Sequence, residues 1–283
     1  MEDHFRYCAT LVREADRERY LATLFAPADK RDALFALYAF DVEISRVRDL
    51  AREPMPGEIR LQWWREVLLG ERASEAAANP VASALLEVLT RHNLERERLL
   101  DLIEAHRFDI YDEPMSDFEG LRTYAARTAG TVFELAARIL ARNIGSAAAS
   151  FSMAAGEAKT VANVLALLPR HAARRQLYVP LDVLRHYQAD PDDIFAMRVT
   201  PELRAALAEL RLRARRELAL IGNAGTEIPL MTRPGFLSVA PLRQWLLAME
   251  GGDYDPFLPP QTAPWRSQWR IWRAAKSFRR IGA

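Results

Sequence analysis

MAAGEAKTVANVLALLPRHAARRQLYVPLD, residues 153–182, is the stretch from which the rest of the chain is read. Between Gly156 and Pro169 it contains neither Gly nor Pro, and good helix formers dominate it. A helix is therefore expected from about 153 to 168, ended by Pro169. A basic patch follows at 170–175, and the stretch leaves as the extended QLYVP of 176–180. Small residues around Gly156 predict close approach of a second helix.

The composition agrees with a helical protein. Half of the 283 residues are hydrophobic and Gly is sparse, with 12 in the chain. That supplies a sizeable core without strand signals, so the fold class is all-α. The net charge of +1 gives no footprint for nucleic acid. A single cysteine, Cys8, rules out an internal disulfide and suits a reducing compartment. MEDHFRYC at the N-terminus lacks an apolar leader, and no run of about 18 apolar residues occurs. A cytoplasmic protein, soluble or peripheral on a membrane, is expected.

Outward from the central stretch, residues 6–50 read as two helices broken at 26–29, with Asp29 as N-cap of the second. Asp41 and Glu43 lie two apart and cannot share a helix face. Pairs such as Asp41 with Arg48, or Ser45 with Asp49, on a partly exposed face are expected instead. In LQWWRE (61–66) the adjacent Trp63 and Trp64 must diverge, one to the core and one to a rim. A loop over 73–80, a helix over 81–92 and another from about 95 to 111 follow. Asp109 and Asp112, three apart, can face one pocket or cap a solvated helix end. Glu202, Glu209 and Glu217 read as a solvated face of a helix over 201–220.

The central stretch resembles the second signature of the squalene/phytoene synthase family, a Gly-x-Ala-x-Gln-Leu-Thr-Asn-Ile-Leu-Arg-Asp helix with a second Asp four residues on. An Arg-rich loop ending in Tyr-Leu-Pro closes that signature. Gly156, Ala158, Asn163, Leu165, Arg174, Tyr178 and Pro180 keep the frame. Leu167 and His171 stand at the two carboxylate positions. RYLATL (19–24) and ALFALYAF (33–40) resemble the family's first motif, which continues into Asp-Asp-x-x-Asp. Aligning Tyr38 places Ser45 and Arg46 at the adjacent Asp positions and leaves only Asp49. YAARTAGTV (124–132) and DYDPF (253–257) extend the likeness, and Asp109 matches a cavity-lining Asp.

The resemblance implies a single isoprenoid-synthase-like helical bundle around a central cavity, covering residues 1–260. It also implies what has been lost. A diphosphate leaves with Mg²⁺ bridging its oxygens, and Mg²⁺ is held by carboxylates and water. Leu offers no ligand and neutral His is a poor one for Mg²⁺. No catalytic residue, metal or other cofactor is therefore expected, Mg²⁺ belonging only to an active-synthase reading. Arg19, Tyr38, Asp109, Tyr124, Asn163, Arg174, Arg175 and Tyr178 are the expected remnants of a cavity or diphosphate site. AFDVEI (39–44), RHNL (91–94) and the Trp/Arg-rich C-terminus resemble the branch of mitochondrial complex I assembly factors and their alphaproteobacterial relatives. That branch implies respiratory subunits or assembly proteins as partners, with an isoprenoid or lipid in the cavity. The alternatives are an active head-to-head prenyl transferase and a prenyl-lipid binding protein.

Residues 261–283 read as a separate basic tail. Trp265, Trp269 and Trp272 fall at i, i+4 and i+7, beside Arg266, Arg270 and Arg273, and Lys276, Arg279 and Arg280 follow. With no acid among them, the tail is expected to meet an anionic membrane surface or a partner. The competing reading packs the Trp rings on the core and turns the Arg to water.

Overall fold

Small side chains set the centre of the molecule. In the computed structural model the helix carrying the central stretch runs Gly145–Ala166, earlier at its start than residue 153. Ala154, Ala155, Ala158 and Ala162 are all buried along it. A helix apolar on most sides sits inside a bundle rather than on its surface. The structure describes residues 3–51, 53–142, 144–223, 227–258 and 263–281, with the backbone alone at 145–147 and 279.

In chain order the first helices are α1 Asp3–Ala15, α2 Arg17–Thr23, α3 Ala28–Ser45, α4 Val47–Leu50, α5 Pro54–Leu69 and α6 Ala73–Ala78. Next come α7 Pro80–His92, α8 Arg96–Ala105, α9 Phe118–Ala125, α10 Thr131–Leu140 and α11 Gly145–Ala166. The remainder are α12 Leu168–Ala173, α13 Leu181–His186, α14 Pro191–Phe195, α15 Pro201–Asn223, α16 Leu242–Ala248 and α17 Pro264–Lys276. Short 3₁₀ turns occupy His106–Asp109, Arg233–Val239 and Phe278–Ile281, and a π turn occupies Ala126–Gly130. Among the described residues there is no strand.

Two apolar clusters meet on α10. Its Val132, Leu135, Ala136, Ile139 and Leu140 join the core built by α1, α3, α5, α7 and α8. Its Phe133 and Ala137 join the core built around α11 and α15. The π turn and α11 approach closely where Gly130 meets Gly156: a Cβ on Gly156 would lie 2.5 Å from the Gly130 amide nitrogen. Gly130 is thus used for helix packing.

Several boundaries differ from the sequence expectation. The first helix breaks at Asp16, whose carboxylate accepts from the Arg19 amide at 3.0 Å and caps α2. Pro27, not Asp29, precedes α3; Asp29 lies in its first turn. Residues 73–78 are helical, and Asn79 caps α7 through Val81 and Ala82. Pro169 opens the short α12 rather than simply ending α11, because a missing N–H costs nothing in a first turn. The Trp pair divides as expected. Trp64 is buried edge-on against Phe40, and Trp63 donates to Glu75 at 2.8 Å.

The boundary drawn at 260–261 lies outside the described residues. Ile271, Ala274, Phe278 and Ile281 belong to the apolar core around α11 and α15. The side chain of Arg279 lies outside the described residues. Glu217 also departs from a fully solvated face: burial, then Glu157, pushes its carboxyl up.

Candidate functional site

Helices α2, α3, α4, α11 and α12 and the 106–109 turn surround a cavity of roughly 450 Å³. Six basic side chains (Arg19, Arg46, Arg48, Lys159, Arg170, Arg174) and five acidic ones (Asp16, Glu18, Asp41, Asp49, Asp109) face it. Apolar wall comes from Ala15, Val42, Ala129, Val164, Ala166 and Leu167. The charges are organised into three groups.

The first group lies on α2 and α3. Arg19 is buried and hydrogen-bonded to Asp41, with Asp16 at 3.7 Å on its other side. Its guanidinium also stacks 5.0 Å above the Tyr38 ring. Burial alone would raise the Asp16 carboxyl, but Lys159 and Arg19 outweigh it and hold the group below the usual range. Asp41 is therefore a buried partner of Arg19, not a half-exposed partner of Arg48. Two acids so placed keep a buried guanidinium charged without needing a ligand.

The second group joins the two degenerate motifs. Asp49, the surviving first-motif carboxylate, accepts from Arg170 and from Arg174, the latter at 2.6 Å. Burial would raise its carboxyl, and the two guanidinium hydrogen bonds overcome that and lower it. Ser45 does not reach Asp49; its hydroxyl donates to the Val42 carbonyl at 3.4 Å. Arg48 pairs with Asp112 at 3.0 Å. Asp112 is consequently engaged outside the lining, and the two acids of the 109–112 pair do not share the cavity.

The third group centres on Asp109. Its carboxylate accepts from the Tyr178 hydroxyl at 2.6 Å and the Tyr124 hydroxyl at 2.9 Å, and lies 2.6 Å from His106 Nδ1. Gln176 holds the Asp109 carbonyl at 3.1 Å. Burial and then Asp109 raise both tyrosine hydroxyls well above their ordinary value. For His106, burial lowers the ring pKa, but the Asp109 charge and hydrogen bond prevail and raise it. His171, at the second-motif Asp position, goes the other way. Burial and then Arg170 push it down to about 4, and its ring centroid lies 4.5 Å from that of Tyr178. It is neutral at physiological pH.

The fold thus gathers Arg19, Ser45, Arg46, Asp49, Asp109, Tyr124, Asn163, Leu167, His171, Arg174 and Tyr178 on one cavity. Tyr38 sits behind Arg19, outside the lining. Arg175 is not brought in; it stacks 4.7 Å over Phe195 instead. Sequence reasoning missed Asp16, His106, Lys159, Arg170 and Gln176 as lining residues. The i, i+3 spacing of His106 and Asp109 was a legible signal, and so was the Asp-Arg-Glu start of α2.

A Mg²⁺ cluster of the kind the fold implies does not fit this donor set. Asp49 Oδ1 accepts from two guanidiniums, and the second-motif positions on the same cavity are Leu167 and neutral His171. Among the described residues, no three His, Cys, Asp or Glu side chains converge as metal ligands.

The comparisons with known proteins agree with the architecture. The chain is 28% identical over 258 residues to NADH dehydrogenase (ubiquinone) complex I, assembly factor 6 of Rattus norvegicus, covering 91% of this chain and 77% of that protein. The Homo sapiens protein of that name is 27% identical over 258 residues, with 91% and 76% covered. Phytoene synthase 2 of Solanum lycopersicum is 26% identical, with 78% and 74% covered. The squalene synthase of Alicyclobacillus acidocaldarius superposes with a TM-score of 0.74 at 26% identity, covering 87% of this chain and 93% of that one. A dehydrosqualene synthase gives 0.81 at 18% identity, with 97% and 96% covered, a likeness of fold alone. The squalene/phytoene synthase family model matches residues 12–273, and the chain belongs to that family.

Proposed function

We propose that the chain is a non-catalytic member of its family that serves respiratory complex I assembly at the inner membrane. The observation that carries this reading is the pairing of Asp49 with Arg170 and Arg174. Where a synthase needs metal between two sets of carboxylates, this chain holds its two motifs together by direct ion pairs. Guanidinium takes the place of metal between the two motifs. The assembly-factor name of several relatives supports the same reading.

The prenyl transferase alternative draws on the intact Asp109–Tyr124–Tyr178 network and on Asn163, which still line the cavity. It lacks a group to stabilise a departing diphosphate by metal. A cavity wall this charged disfavours the prenyl-lipid binding reading, since an apolar tail would desolvate those groups without pairing them. The partners are proposed to be complex I subunits or their assembly proteins.

The test is deletion of the gene in its own host, followed by measurement of assembled complex I and of isoprenoid products. Loss of complex I, restored by the wild-type chain and by an Asp49→Asn variant alike, is expected. Normal complex I with a missing isoprenoid would overturn the proposal.

A further inference from the structure

The last helix leaves its aromatic face uncovered. On α17 the side chains facing the protein are Ile271 and Ala274, both buried, whereas Trp265, Trp269 and Trp272 are 61%, 46% and 49% exposed. At about 100° per residue the three Trp fall within roughly 60° of arc, and Ile271 and Ala274 lie on the far side. Arg266, Arg270 and Arg273 occupy the flank between. The competing expectation, Trp rings on the core and Arg to water, is therefore wrong for these rings.

Each exposed ring carries a cation. Arg266 lies 5.6 Å from the Trp265 ring, Arg273 4.4 Å from Trp269 and Lys276 5.8 Å from Trp272. Such pairs set a cation over a ring face, so the helix presents aromatic surface and positive charge together. The cations also crowd one another. Beyond its burial, Arg270 is lowered by Arg273, Arg243 and Arg266, so α16 adds to the same positive field. Arg270 is held by a neutral partner, Gln244, at 2.7 Å. No acid occurs in residues 263–281.

We propose that α17 is a membrane-docking helix, lying flat on an anionic bilayer with its three Trp at headgroup depth and its Arg flank on lipid phosphates. The charge pattern selects this occupant: an uncompensated row of cations beside aromatic rings suits a phosphate plane rather than an apolar protein groove. At 13 residues the helix is about 20 Å long, too short to span a bilayer but long enough to lie along its surface. Among the described residues no helix is long and apolar enough to cross. Helix α17 packs on α2, the element bearing Arg19, so docking holds that wall of the cavity one helix away from the lipid. The inference gives the proposed inner-membrane location a contact surface, but it rests only on α17 and its neighbours.

The test is flotation of the full chain with phosphatidylcholine vesicles, with and without phosphatidylglycerol, at low and high salt. Flotation with the anionic vesicles, released by salt, is expected. Arg266→Gln, Arg270→Gln and Arg273→Gln together should weaken binding to them on the order of 100-fold. Trp265→Ala, Trp269→Ala and Trp272→Ala together should abolish it while circular dichroism stays unchanged. Brominated lipid should quench Trp fluorescence of the wild-type chain on binding, a readout needing no variant. Absence of flotation, or a folded Trp variant that floats like wild type, overturns the proposal. Flotation is read without complex I, so it can succeed where the assembly role fails, and fail where that role holds.

Discussion

Asp49 keeps its place beside the second motif, and its Oδ1 accepts from both Arg170 and Arg174. These pairs are partly exposed, so Asp49→Ala should destabilise the fold by only about 1 kcal/mol, read by urea unfolding. Asp109 is different, because it is the common acceptor of two tyrosines and a histidine. Asp109→Asn should cost about 2–3 kcal/mol. His171 gives a pH signature. Its folded pKa of about 4 lies below the unfolded value of about 6.5. Between those values the unfolded chain binds a proton that the native chain excludes, so stability falls as pH drops through that window. His106, raised, contributes in the opposite sense: its stabilisation is full below the unfolded value and is lost as pH rises through the folded one. His171→Gln should remove the acid-side loss, on the order of 2–3 kcal/mol by pH 4, from a series of unfolding curves. An unchanged pH slope in that variant would contradict the burial of a neutral ring. The replacements Leu167 and His171 were legible in the sequence because they break a spaced pattern. The pairing of Asp49 with Arg170 was not, since it joins residues 121 apart and is created by tertiary packing.

At the scale of elements, the contact of the π turn with α11 is a close joint that only glycine allows. A Cβ at Gly156 would meet Gly130 backbone on two atoms, at 2.5 and 2.6 Å, and neither can rotate away. Gly156→Ala should therefore destabilise by about 3 kcal/mol. Gly57→Ala is the control, since its Cβ would meet only side-chain atoms of Ile110, at 3.2–3.4 Å, and its unfolding midpoint should shift far less. Small residues in 124–132 and around Gly156 made this joint legible, because close helix approach needs them. Helix ends were less legible. The break at Asp16 interrupts no apolar period, and residues 73–78 carry too many Ala to look like a loop yet too few apolar anchors to look like a helix. Those boundaries are set by side-chain caps and by packing rather than by local propensity.

Across the whole molecule, the order of motifs made the all-α bundle and its cavity legible, while composition did not divide the C-terminal helix into its two faces. A Trp/Arg-rich segment looks foreign to a core, yet one face of α17 enters it through Ile271 and Ala274 and only the other face stands free. Overall composition cannot resolve two faces of one helix; the positions of four side chains can. In the proposed function the cavity no longer carries out prenyl transfer. Purified chain incubated with farnesyl or geranylgeranyl diphosphate and Mg²⁺ should release diphosphate no faster than a protein-free control, with no coupled product, because loss of the metal-held leaving group costs on the order of 10³-fold or more. Turnover to squalene, phytoene or a related product would contradict the account.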